Sequence, residues 1–302
     1  MAVQTRAIKR RIKSVKNTRK ITKAMELVAG SKMRKAVSAV LESRPYAKLA
    51  WNTVQSIGRL TDTSLHPLLR RHQKTTSVLM FLITSDRGLA GGFNTNILRR
   101  TREAIKTLGG AEHVSAVCIG KRGADALKRL GVPILASFVE ITNNTKFSEI
   151  LPIGRMVVDE YTKGSFDKVV LAYTDFVSAV SQMPVILDFL PLSVETVKSV
   201  GQAKQAGHED VKFTKASEYT FEPSPQQVLD RVLPRLIETM VYQAVLESAA
   251  SEHSSRMMAM RSASDAAGEM IDDLTFTFNQ ARQAGITQEI AEISSGKAAL
   301  ES

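Results

Sequence analysis

The chain has almost no cysteine: Cys118 stands alone among 302 residues. An intrachain disulfide and a cysteine-only zinc site are therefore excluded. Cys118 lies in the apolar stretch "HVSAVCIG", which predicts a buried, inert thiol rather than a nucleophile. Long hydrophobic runs are missing too, so no segment reads as a membrane span. The N-terminus is basic but carries no apolar core of a secretory signal. It shares its arginines and lack of acids with transit peptides, yet its periodicity continues into a much longer helix, which reads as a mature, non-secreted protein. Aromatic residues make up only 6%, which leaves few rings to stack on bases. The five histidines are scattered without metal-ligand spacing. Glu269, Asp272 and Asp273 read as a solvated helix face.

Acidic residues are nearly missing from the start of the chain. Residues 1–35 hold twelve Lys and Arg against one acid, Glu26, while residues 225–302 hold six bases against eleven acids. Net charge is +11, but the two ends carry opposite sign. Both ends also have helical periodicity. Apolar or small residues recur at Ile8, Ile12, Val15, Ile21, Met25, Val28, Ala36, Val37 and Val40, and beyond Pro45 the pattern resumes towards Gly58. At the other end, Ser224, Pro225 and Gln227 suit an N-cap, first position and capping partner. Met260, Ala263, Ala267, Met270, Leu274, Phe278, Ala281 and Gly285 then step by threes and fours, a heptad-like seam. Roughly 50 and 65–75 helical residues correspond to about 75–80 and 100–110 Å. Neither stripe can be covered by its own helix. Because the middle joins the end of one helix to the start of the other, the simplest packing is an antiparallel coiled coil, which the opposite charges suit, with a C-terminal tip about 30 Å longer than its partner. That tip, "ITQEIAEISSGKAAL", is mostly apolar or small, as a partner surface would be.

The middle alternates like an α/β layer. Strands are predicted at Ser77–Ile83, His113–Ile119, Ile134–Val139, Lys168–Tyr173 and Pro184–Pro191, with helices at Thr95–Leu108, Gly123–Leu130 and Phe147–Thr162. Their order implies parallel strands in a Rossmann-like domain. The fold class is thus α/β: a long antiparallel coiled coil of N- and C-terminal helices plus a central Rossmann-like domain. The expected domains are residues 1–60, 75–220 and 224–302. Residues 198–212, polar and glycine-containing, read as a mobile loop.

The stretch "SDRGLAGGFN", Ser85 to Asn94, follows the first strand, where α/β proteins hold phosphates. Its glycines are spaced G-x-x-G-G rather than G-x-G-x-x-G, and no P-loop lysine follows Gly92. Tight-turn geometry or close backbone approach is the better reading. Ser85 and Asp86 have no candidate base nearby in sequence, so no catalytic, cofactor-binding or metal-ligating residue is expected. The basic N-terminal helix leaves two readings open: a helical or acidic protein partner, and a nucleic acid.

"IKRRIKSVKNTRKITKAMELVAGSKMRKA", "SDRGLAGGFN" and "FNQARQAGITQEIAEISSGKAAL" together resemble the gamma subunits of F-type ATP synthases, in the same order and over essentially the whole chain. The resemblance implies a non-catalytic rotor shaft in a proton-translocating complex. Its coiled coil would stand inside the ring of alternating alpha and beta subunits, with the ATP chemistry on beta. The middle domain would sit on the membrane ring of c subunits beside the epsilon subunit, with a delta-containing stator in the same complex. The location implied is peripheral, on the cytoplasmic face of a bacterial plasma membrane or the matrix face of the mitochondrial inner membrane. Arg282, Gln283 and Thr287 correspond to the family's catch against acidic levers of beta. Met25, Lys32 and Arg34 correspond to positions facing the ring. Arg87, Gly88, Gly91 and Gly92 correspond to a segment near those levers. This chain departs from the family pattern at Ala90, where cysteine is common. It departs again at Gly285, which softens the helix by about 1 kcal/mol, and at Lys297, which sets a charge near the supposed bearing. The cysteine pair of chloroplast members has no counterpart.

Overall fold

The computed structural model describes residues 2–58, 66–70, 75–143, 145–193, 196, 222 and 224–301; the stretch 198–212 lies outside them. Helix α1 runs Ala2–Gly58, through Pro45. The middle follows as β1 (Val78–Ile83), α2 (Phe93–Thr107), β2 (Val114–Ile119), α3 (Lys121–Arg129), β3 (Ile134–Phe138), α4 (Phe147–Thr162), β4 (Lys168–Ser178) and β5 (Ser181–Leu190). Helix α5, Pro225–Glu301, closes the chain and continues through Pro234. Its start bears out the expected cap: the Gln227 amide donates to the Ser224 hydroxyl at 3.3 Å. Among the described residues no helix is long and apolar enough to cross a membrane.

The residues form two compact units: Met1–Ala29 with Met257–Ser302, and Gly30–Arg256. Each long helix contributes to both units.

In the first unit, two helical segments pair along a stricter seam than apolar residues alone suggest. With Met25, Ala263 and Gly268 half-covered at its flanks, the seam runs along α1 through Thr5, Ile8, Ile12, Val15, Thr22, Glu26 and Ala29, and along α5 through Met260, Ser264, Ala267, Ile271, Leu274, Phe278, Ala281 and Gly285. Along α5 these alternate steps of four and three without a break, the 3.5-residue period of a left-handed coiled coil. Arg19 fills the corresponding step of α1, its guanidinium packed over Gly268, where a methyl group would meet it at 3.4 Å. Several expected positions are corrected. Ile21 and Val28 are 61% and 58% exposed, while Thr22 and Ala29 face inward. Met270 is 49% exposed and yields to Ile271; Ser264 is buried, with the expected Ala263 half-covered beside it. Backbone phase decides which side chain is covered, so a threonine or serine in register is buried and an isoleucine one step away is not. Beyond Gly285, every described side chain as far as Lys297 is exposed.

The second unit is built on a five-stranded sheet, ordered β3-β2-β1-β4-β5. Strands β1 to β4 are parallel to their neighbours, as the strand–helix alternation requires. The fifth strand corrects the all-parallel expectation. It pairs antiparallel with β4, because only Ala179 and Val180 join the two, too few residues for a crossover. The last two strands are also longer than predicted, since both extend into this hairpin. Alternate residues of the inner strands face two cores. Val78, Met80 and Leu82 of β1 meet Cys118 and the inner faces of α2 and α3. Leu79, Phe81 and Ile83 meet α4 and the Leu229–Val245 stretch of α5. Cys118 is fully buried, and burial pushes its thiol up to about 12, an inert group as expected. In this unit Lys32 of α1 acts on His253 and Glu42 on Tyr242, so the two helices run antiparallel.

Candidate functional site

The strand order reverses at β1, between β2 and β4. Doubly wound sheets receive ligands in the crevice at this point, and "SDRGLAGGFN" is the loop that leaves β1 there. Its conformation is fixed from within. The Ser85 hydroxyl donates to the Arg87 carbonyl at 2.7 Å, and the Asn94 carboxamide spans the loop, accepting from the Ser85 amide at 3.1 Å and donating to its hydroxyl oxygen at 2.7 Å. Of the loop's glycines only Gly91 has left-handed backbone, φ +54°; Leu89 takes φ +62° as a non-glycine residue. The sharper need for glycine lies opposite, at the start of α3. A side chain on Gly120, φ +93°, would strike the Thr84 carbonyl, and one on Gly123 would lie 2.8 Å from the Thr84 hydroxyl oxygen. Thr84, just after β1, and the start of α3 approach too closely there for a side chain between them.

Asp86 closes this approach. One carboxylate oxygen accepts from the Lys121 amide at 2.9 Å and the other from the Glu140 amide at 2.7 Å. The Lys121 amide belongs to the first residue of α3, the kind of helix N-terminus that draws phosphates in related folds. In this chain the anion is its own aspartate.

The crevice between β1 and β4 is filled as well. Helix α5 passes through it with Glu247, Ser248, Ser251, Glu252, His253 and Ser254 all buried. Arg256 pairs with Glu252 at 2.8 Å and reaches the Gly88 carbonyl of the loop at 3.4 Å. Burial raises the Glu252 carboxyl, although Arg256 works against that shift. Burial, then Arg256 and Lys32, bring the His253 imidazole down to about 4. The Lys32 ammonium donates to the Asn143 carboxamide oxygen at 3.2 Å. Within this unit the Lys32 charge thus acts on His253 of α5, and Gly88 is bonded by Arg256 three residues further along the same helix. The glycine-rich stretch Ser85–Asn94 is thus a buttressed turn, and its crevice holds protein. The seat of α5 was missed because serines and glutamates look like a solvated face. The available signal was four serines, at 248, 251, 254 and 255, at helical spacing.

The remaining expected contact residues are surface groups. Arg34, Arg87, Gly91 and Gly92 are exposed and Gly88 is half-buried. In the first unit Met25 is half-buried, while Arg282, Gln283 and Thr287 are exposed on the last turns of α5. That unit also carries an open groove of about 1460 Å³, lined by Arg6, Lys9, Lys13, Lys16, Lys20 and Lys23 beside Ser264 and Ile271. Its charge suits an acidic surface. Among the described residues no group of His, Cys, Asp and Glu has the arrangement of a metal site.

A family model described as ATP synthase matches residues 4–300. An ATP synthase gamma chain of Heliobacterium modesticaldum is 43% identical over 296 residues, covering 98% of each chain. One from Herpetosiphon aurantiacus is 43% identical over 308 residues, again covering 98% of each. Among solved structures, a chain of the central stalk and c-ring of the Tetrahymena thermophila mitochondrial ATP synthase is 27% identical. It superposes with a TM-score of 0.59 over 81% of this chain and 99% of that one. A chain from the Euglena gracilis mitochondrial ATP synthase shares the fold at 19% identity, with a TM-score of 0.67 over 99% and 95%.

Proposed function

On the premise that this chain belongs to the ATP synthase gamma-chain family, we propose that it acts as the rotor shaft coupling proton-driven rotation of the c ring to ATP synthesis on the beta subunits. The correspondence of residues 4–300 to that family carries the reading. A shaft needs stiffness, a seat and contacts that can be broken repeatedly. The strict heptad seam supplies the stiffness. The buried stretch of α5 supplies the seat, and the exposed groups beyond the seam supply the contacts.

Residues 1–60 and 224–302 act as the shaft and 75–220 as its foot, against the c ring and the epsilon subunit. Alpha and beta surround the shaft, and the delta-containing stator completes the complex. The subunit is peripheral to the membrane. It is non-catalytic, a reading supported by the crevice that α5 occupies. Arg282, Gln283 and Thr287 serve as the catch on beta. Arg34, Arg87, Gly91 and Gly92 offer exposed contacts. Met25, Lys32 and Gly88 are partly enclosed by their own chain, and their contribution is to hold neighbouring surface in place.

The test is the double variant Arg282→Ala, Gln283→Ala in the assembled complex. Rotary coupling or ATPase rate should fall by at least about threefold, on the order of 0.7 kcal/mol, with the folded chain's thermal stability unchanged. Unchanged coupling would remove these residues from the mechanism. The basic groove favours one other reading, a nucleic-acid-binding protein. A chain that retards duplex DNA at about 150 mM salt and recruits no ATPase subunits would establish that instead.

A further inference from the structure

We propose that the polar face of α5 from Glu247 to Ser255 is a key that fixes the helix's rotational register in the sheet domain and carries torque between them. This rests on the rotor reading. The observation is a mismatch of strand lengths. Strand β1 pairs with β4 only as far as Leu82 opposite Ala172, yet β4 continues to Ser178 with β5 on its other side. An inner strand that outruns its neighbour exposes backbone donors and acceptors.

Side chains of α5 take them. The Thr174 amide donates to the Ser248 hydroxyl oxygen at 3.2 Å, and the Ser251 hydroxyl donates to the Thr174 carbonyl at 3.3 Å. The Phe176 amide donates to a Glu247 carboxylate oxygen at 3.3 Å. Further along, the Ser254 hydroxyl donates to the Ala179 carbonyl at 2.6 Å, in the β4–β5 turn, and the Ser255 hydroxyl to the Gln182 carboxamide oxygen at 2.9 Å. In effect α5 continues the ladder that β1 leaves off, using side chains in place of a strand.

The preceding stretch, Leu229–Val245, is held mostly by apolar contact, with a directed tie to a neighbouring helix where the Arg155 guanidinium of α4 donates to the buried Glu238 carboxylate at 3.0 Å. Apolar attraction has no direction, so a helix held only in that way can roll and re-form equivalent contacts. Hydrogen bonds differ. A roll of one residue, about 100°, would carry all five donors and acceptors off their partners, and the Thr174 backbone groups with Ser248 and Ser251 would be left buried without replacement. The polar stretch therefore resists rolling, and the apolar stretch resists withdrawal.

The experiment uses the assembled complex in membrane vesicles carrying Ser248→Ala, Ser251→Ala and Ser254→Ala together. ATP hydrolysis should stay within about twofold of the parent, while protons pumped per ATP against an opposing gradient fall at least about threefold. Leu236→Ala, which loosens the apolar stretch, should preserve pumping per ATP. Equal pumping by the triple variant and the parent at every gradient would overturn the key. So would an equal loss in Leu236→Ala, because any loosening would then suffice. If the triple variant fails to assemble, Ser254→Ala alone is judged by the same criterion. A parent chain that joins no ATP-hydrolysing complex would instead overturn the rotor reading, independently of the key.

Discussion

One helix meets two opposite environments. Between Leu236 and Ser254, α5 is buried on nearly every side, with leucine, isoleucine and valine giving way to serine, glutamate and histidine. Between Ile286 and Lys297 it has no covered side chain at all. An ordinary surface helix lies between these extremes, with one apolar stripe and one wet face. A helix enclosed over one stretch and bare over another separates two tasks. The enclosed stretch sets stability and position, and the bare stretch is free to meet other molecules. Substitutions in the two stretches should accordingly have very different consequences for folding.

The largest effect is expected at Leu236, fully buried against the sheet's inner core with Leu233 and Ile237. Replacement by alanine removes three buried carbons and leaves a cavity in a site walled by strands and by α4. Leu236→Ala should cost about 3 kcal/mol, within the range of such core truncations. Chemical denaturation of the full chain measures it. A loss below about 1 kcal/mol would mean that the seat collapses around the gap, and that the contrast with the tip is shallower than burial implies.

How much of that contrast the chain betrays in advance depends on the element. Strand β1 and helix α4 are legible because "VLMFLI" is a continuous apolar run and Phe147–Thr162 has a full helical period. The β4–β5 hairpin is not, since Ala179–Val180 carries none of the usual turn residues. The seam was read with its phase slightly wrong. Ile21 and Met270 drew attention by their chemistry, while Thr22 and Ile271 hold the positions that the 3.5-residue period selects. The proposal of Arg282 and Gln283 as contact groups comes from family resemblance alone, because an exposed arginine and glutamine carry no periodic signal. The polar seat around Ser251 left only the helical spacing of its serines as a signal, because whether a serine faces water or a strand end depends on tertiary placement.

The second effect is expected within the polar half of the seat. His253 is buried, and burial, then Arg256 and Lys32, hold its imidazole down to about 4 against an ordinary 6.5. As pH falls, the unfolded chain takes up the proton first. His253 therefore contributes stability that is complete above about pH 6.5 and lost as pH falls towards 4, at most about 3 kcal/mol. Glu252, beside it, has the opposite sense. Its carboxyl is raised by burial, so its contribution is complete below its ordinary pKa and lost as pH rises through the raised value. Comparing thermal stability at pH 6.5 and pH 4 isolates the histidine when the His253→Gln variant is measured alongside. The variant should lose clearly less on acidification than the parent. Equal losses would place the acid sensitivity of this region elsewhere.

The smallest effect belongs to the bare end. Ile290 and Ile293 are 62% and 74% exposed, and the covered seam of α5 has already ended at Gly285. Ile290→Ala removes a side chain with little packing within the described residues, and alanine is the better helix former by a few tenths of a kcal/mol. The two terms nearly cancel, so folded stability should change by less than about 0.5 kcal/mol, as denaturation of the isolated full chain would show. The same substitution acts differently once the end is covered. In a complex where a partner encloses Ile290, the lost apolar contact appears as weaker association, about 1 to 2 kcal/mol for a side chain moved from exposed to buried. An isolated chain destabilised by more than about 1 kcal/mol would show that the end packs on its own protein. The division of α5 into an enclosed seat and a bare contact surface would then fail.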